Sequence, residues 1–160
     1  MTRIAPLALK IKRMEQEDKT EVVIGAFYEV YNVLGYGFIE AVYQNALCKE
    51  FQRLCVPYET HRKIDVFYKG EPVGYYEADI IVYGSIILEL KAVKQLMFEH
   101  ERQLRNYLKA TDLEIGLLLN FGPKPEIKRE VFSSSYRERL RNQDAPAARS
   151  ASSASSAGEK

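Results

Sequence analysis

Two apolar runs joined by a three-residue link, EADIIVYGSIILELKAV over residues 77 to 93, constrain this chain most. Tyr83-Gly84-Ser85 is the kind of short, glycine-containing link that closes a β-hairpin. Successive side chains of a strand point to opposite faces. Ile86, Leu88, Leu90 and Ala92 then share a wholly apolar face, and Ile87, Glu89, Lys91 and Val93 share the other. In the first run Ala78, Ile80 and Val82 fall together, opposite Glu77, Asp79 and Ile81. A hairpin centred on Gly84 sets Asp79 across from Glu89 and Glu77 across from Lys91. Like charges directly opposed in a sheet are destabilising, and carboxylates sharing a site raise one another's pKa.

Three arrangements account for charges in such a setting. One is a solvated strand face with Lys91 paired to Glu77 or Glu89, although Ile81, Ile87 and Val93 on the same face argue against it. Another is a structural buried ion pair, which costs several kcal/mol of desolvation per ion. The last is a cation site, since carboxylate oxygens suit a hard divalent ion such as Mg2+ or Mn2+.

The rest of the chain is expected to build a mixed sheet with helices. Val22, Val23, Ala26, Phe27, Val30, Val33 and Leu34 recur at helical spacing from Thr20, which is placed to cap a first turn. Gly35-Tyr36-Gly37 ends that helix, and a second follows over 38–54. Strand character occupies 58–68, 73–83 and 86–93, with a turn at Lys69-Gly70-Glu71-Pro72. Helical spacing returns over 95–110, followed by a buried strand at 116–122 and an edge strand at 127–132. Residues 1–19 read as a loose lead-in, 20–132 as the domain, and 133–160 as a basic, then Ala/Ser-rich disordered tail.

Bulk properties exclude more than they select. A chain of 160 residues with 46% apolar and 28% charged residues suits one soluble domain. A net charge of +1 gives no global case for a polyanionic partner, so such a partner would need a local patch. Candidates are Lys124, Lys128 and Arg129, and Arg137, Arg139 and Arg141, diluted by Glu126, Glu130 and Glu138. Cys48 and Cys55, placed on one side of the second helix, are too few for an all-cysteine metal cluster. No signal sequence or membrane span is expected, and the default location is cytoplasmic.

Two further groups carry chemistry. Glu40 begins the second helix, where an acidic residue also complements the helix dipole. His100, Gln103 and Tyr107 share one face of the third helix, beside the core-facing Leu104 and Leu108.

In order, Gly37-x-x-Glu40-x-x-Tyr43, Ala78-Asp79, Glu89-Leu90-Lys91-Ala92, Gln103-x-x-Asn106-Tyr107-Leu108 and Asn120-Phe121-Gly122 resemble the GxxExxY proteins of the PD-(D/E)xK nuclease-like superfamily. The likeness covers about residues 20–132, with Ala78 where the superfamily name suggests proline. It implies a restriction-endonuclease-like α/β core, a mixed sheet flanked by helices. It further implies Asp79, Glu89, Glu40 and the Leu90 carbonyl as ligands of Mg2+ or Mn2+. By the same likeness Lys91 positions water and steadies charge, while Gln103 and Tyr107 position the substrate or the site. The implied function is metal-dependent hydrolysis of DNA or RNA phosphodiesters. The alternative is a non-catalytic module binding nucleic acid or protein on the same fold. An iron–sulfur cluster, carried by some relatives, is not expected from two cysteines. Oligomeric state is open, a homodimer among the options.

Overall fold

The computed structural model describes residues 7–133. Its elements run α1 (Leu7–Leu34), α2 (Glu40–Arg53), β1 (Tyr58–Tyr68), β2 (Glu71–Val82), β3 (Ile86–Lys91), α3 (Phe98–Lys109), β4 (Ile115–Phe121) and β5 (Pro125–Val131). The strands form one five-stranded sheet in chain order. Every neighbouring pair is antiparallel except β3 and β4, which are parallel and joined through α3. A parallel pair needs a crossover, which explains why, among the described residues, the one helix between strands stands here.

The two faces of the sheet bury different sets. Val23, Phe27 and Val30 of α1 and Tyr43, Leu47 and Phe51 of α2 pack with Ile80, Leu88, Leu90, Leu117 and Phe121. Leu104 and Leu108 of α3 pack on Ile64, Ala78, Ile81, Ile87 and Leu118 on the opposite face. Buried on both sides, β4 is closed to solvent along its whole length, as its continuous apolar run requires. Gly116 lets α3 sit close: a Cβ there would lie 2.8 Å from a Leu104 methyl carbon.

The mixed sheet flanked by helices agrees with expectation, and several details differ. The first helix starts at Leu7 rather than Thr20, so 7–19 are helical rather than loose. Thr20 is therefore mid-helix, and its hydroxyl donates to the Gln16 carbonyl at 2.8 Å instead of capping. Cys55 lies past the end of α2, exposed, with φ of 56°, while Cys48 packs against the core. The expected tail lies outside the described residues, apart from Ser133.

Alternation also breaks once in β2. Ala78 packs with Ile81 rather than with Ile80 and Val82. The β1–β2 register runs from Tyr58↔Val82 to Thr60↔Ile80 and resumes at Arg62↔Ala78, leaving His61 and Asp79 unpaired between. His61 adopts φ of 56°. The ribbon turns over at that position, so residues two apart across it face opposite sides.

Candidate metal and nucleic-acid site

The break in β2 makes the site. Paired residues of β2 and β3 run Val82↔Ile86, Ile81↔Ile87 and Ile80↔Leu88, centred on Gly84 as expected, and stop there. Beyond Ile80 the Leu90 N–H donates to the Asp79 carboxylate at 2.9 Å. A side chain thus takes the place of a backbone acceptor, and β2 leaves β3 at this point. Glu77 does not meet Lys91: it faces Lys63 on β1 and pairs with His61 Nδ1 at 3.8 Å.

Glu89 lies beside Asp79 on the α3 face and is only 7% exposed. Burial, then the Asp79 charge, push its carboxyl up to about 8, against a partial opposing pull from Lys91. Its Oε1 is buried with no hydrogen-bond partner among the described residues. Such an oxygen costs free energy unless something meets it.

Tyr107 projects from α3 towards this pair. It receives a hydrogen bond from Gln103. Burial and then the charges of Glu89 and Asp79 hold its hydroxyl up at about 12. Its ring stacks on Tyr76 of β2, with centroids 3.4 Å apart and planes 10° from parallel. Gln103 itself is exposed, and Tyr107 is partly buried. His100 serves a local end: its Nδ1 accepts the Met97 N–H at 3.0 Å and closes the start of α3.

The structure does not gather Glu40 with the other acids. Among the described residues no group of three or more His, Cys, Asp or Glu is arranged to hold a metal. The reason is architectural: α2 buries Tyr43, Leu47 and Phe51 against the face opposite to α3, leaving Glu40 exposed at its first turn. Glu40 is nonetheless one helical turn, about 5.4 Å, before Gln44. That amide donates to the Asp79 carbonyl at 3.2 Å and meets His61 Nε2 at 3.3 Å.

The glycines and tyrosine around Glu40 are structural. Gly37 has φ of 116°, a conformation that side chains disfavour. The Tyr43 hydroxyl donates to Gly35 O at 2.7 Å and accepts Phe38 N–H at 3.3 Å, and its ring stacks on Phe121 at 4.3 Å. Together they fix where α2, and so Glu40, begins.

Asn120 does comparable work behind Lys91. It is fully buried. Its Oδ1 accepts Val93 N–H at 3.0 Å, and its Nδ2 donates to Val93 O at 2.9 Å and to Glu126 Oε2 at 2.8 Å. Glu126 also accepts Leu96 N–H at 3.0 Å. A Cβ on Gly122 would collide with the Val93 carbonyl oxygen. Asn120, Gly122 and Glu126 therefore clamp the segment leaving Lys91 against β4.

Three residues were missed as contributors to the site, Gln44, Tyr76 and Glu126. None has a charge pattern or spacing that separates it from surface residues. In the basic stretch near β5, Lys128 pairs with Glu101 of α3 at 3.9 Å, while Glu126 and Glu130 engage Asn120 and Arg105. Arg137, Arg139 and Arg141 lie outside the described residues.

The donor set fits a hard cation. Two carboxylates converge, one of them buried with an orphaned oxygen and with its pKa raised by burial and then by the charge of the other, and a hard cation would offset both penalties. Among the described residues no helix is long and apolar enough to cross a membrane.

No curated protein matches the chain. A solved protein described as "Crystal structure of SSO0001" aligns over 85% of this chain and 70% of its own, at 21% identity and a TM-score of 0.45. The family description that matches is the PD-(D/E)XK nuclease superfamily, over residues 17–130. The span takes in α2, the kinked hairpin, α3 and the Asn120 clamp, and the chain belongs to the PD-(D/E)XK nuclease superfamily.

Proposed function

We propose that the protein is a metal-dependent nuclease that hydrolyses phosphodiester bonds of DNA or RNA, with Asp79 and Glu89 as its cation ligands. The observation that carries this is the buried, unpartnered Oε1 of Glu89 beside the Asp79 carboxylate. Mg2+ or Mn2+ bound there would polarise a phosphoryl oxygen and lower the pKa of a water. The Leu90 carbonyl is a further ligand in this scheme, and Glu40, exposed at the start of α2, is assigned as an additional acid by its place in the Gly37-x-x-Glu40-x-x-Tyr43 pattern. Lys91, close enough to oppose the rise in Glu89's pKa, supplies a positive charge where negative charge gathers on the phosphate. Gln103 and Tyr107 orient the substrate from α3. Phosphate chemistry needs no base contact, so sequence specificity is not part of the proposal. Within the superfamily, Gly37, Glu40 and Tyr43 support placement among the GxxExxY proteins.

The test is degradation of DNA and RNA by purified protein with Mg2+ or Mn2+. Asp79→Ala is expected to abolish it. Equal degradation by the variant would trace the activity to a contaminant and contradict the proposal.

One observation favours a second reading, a non-catalytic binding module: Glu40 is not gathered with the other acids. Such a module would bind nucleic acid with a steep salt dependence and no metal-dependent cleavage.

A further inference from the structure

The Asp79–Glu89 pair faces a second orphan. The hydroxyl of Tyr76 is buried and has no hydrogen-bond partner among the described residues. It is fixed by its surroundings: Tyr76 packs against the α3-side core, and its ring stacks on Tyr107. A tyrosine hydroxyl is neutral at ordinary pH and carries one O–H donor. An unpaired buried hydroxyl costs stability and calls for an explanation, a functional role among them.

The space beside it indicates which ligand. Tyr76 and Tyr107 line a cleft of about 580 Å³ between the β1–β2 ribbon and α3. Phe67, Tyr75, Asn106, Lys109 and Asp65 are among its other walls, the Asp65 carboxylate lying 3.7 Å from the Lys63 ammonium. A single water occupies about 30 Å³ in the liquid, so the cleft has room for far more than a bridging solvent molecule. Aromatic faces suit unstacked bases, and an ammonium suits a phosphate.

We propose that Tyr76 contacts the substrate, its hydroxyl donating a hydrogen bond to a phosphate oxygen of a nucleic-acid strand lying in this cleft and bound at Asp79 and Glu89. This rests on the nuclease reading and adds a residue and a path to it.

Tyr76→Phe keeps the ring and the stack and removes only the donor. Two measurements on the full chain separate a substrate contact from a structural role. The first is the affinity for fluorescein-labelled single-stranded DNA and its RNA counterpart in Ca2+, read by anisotropy. Tyr76→Phe is expected to weaken binding of at least one probe about tenfold, in keeping with loss of a hydrogen bond to a charged group. The second is thermal unfolding without ligand, where removing an orphaned hydroxyl should raise Tm by about 2–4 °C. Unchanged affinity overturns the proposal, as does a wild-type protein that binds neither probe. A fall in Tm overturns it too, because it would mean that the hydroxyl is satisfied in the ligand-free protein. Mn2+ uptake by wild type and Asp79→Ala judges the cation site separately: intact uptake with unchanged probe affinity would sink the Tyr76 contact and leave the nuclease reading standing.

Discussion

Glu89 concentrates the tension in this molecule on one side chain. Its carboxyl ordinarily titrates near 4.5 and is held up to about 8 by burial and by Asp79. The sign of the consequence follows from linkage. Between those values the unfolded chain has released the proton and the native protein has kept it, so stability falls as pH rises. Metal-free protein should therefore lose Tm steadily from about pH 4.5 to about pH 8. Glu89→Gln, which cannot ionise, is expected to flatten that slope and to be the more stable protein at the alkaline end. Thermal melts across this range check it, and parallel slopes for the two proteins would refute the assignment. The sequence exposes this residue because a carboxylate among Ile87, Leu88 and Leu90 needs a partner if it is buried. Tyr76 and Gln44 stay hidden for the converse reason. A tyrosine on a strand and a glutamine on a helix are ordinary, and only the fold reveals that one stacks on Tyr107 within reach of the Glu89 charge and the other bonds the backbone of Asp79.

At the scale of elements, hydrophobic period and turn chemistry are enough to locate the hairpin, α3, β4 and the α1–α2 corner. Legibility ends where alternation is broken by backbone geometry. Nothing in the residues around His61 and Asp79 announces the positive φ at His61, and so the placement of Ala78 with Ile80 fails. Nor does local pattern show that Glu40 stays apart from the acid pair, since that depends on which sheet face α2 covers. The Asn120-Phe121-Gly122 signature, by contrast, acquires a mechanical meaning. It ties the end of β4 to the segment that follows Lys91 through paired hydrogen bonds to Val93. Asn120→Ala would leave buried partners unpaired, at a cost of about 2–4 kcal/mol. Gly122→Ala would force the two chain segments apart and should cost a similar amount. Urea unfolding measures both, and a loss below about 0.5 kcal/mol in each would show that the clamp is idle.

For the whole molecule, the architecture explains why chemistry gathers at one place. Two helices close one face of the sheet, one helix closes the other, and β2 departs from β3 between them. At that departure Asp79 and Glu89 stand together in an otherwise apolar interior. The central claim is that this carboxylate pair holds a divalent cation. Calorimetric titration of Mn2+ into wild type and Asp79→Ala near pH 7, in two buffers of different ionisation heat, tests it most directly. The account predicts saturable uptake by wild type, accompanied by proton release because Glu89 is largely protonated there, and loss of that uptake in Asp79→Ala. No uptake by wild type, or equal uptake by both proteins, would contradict it.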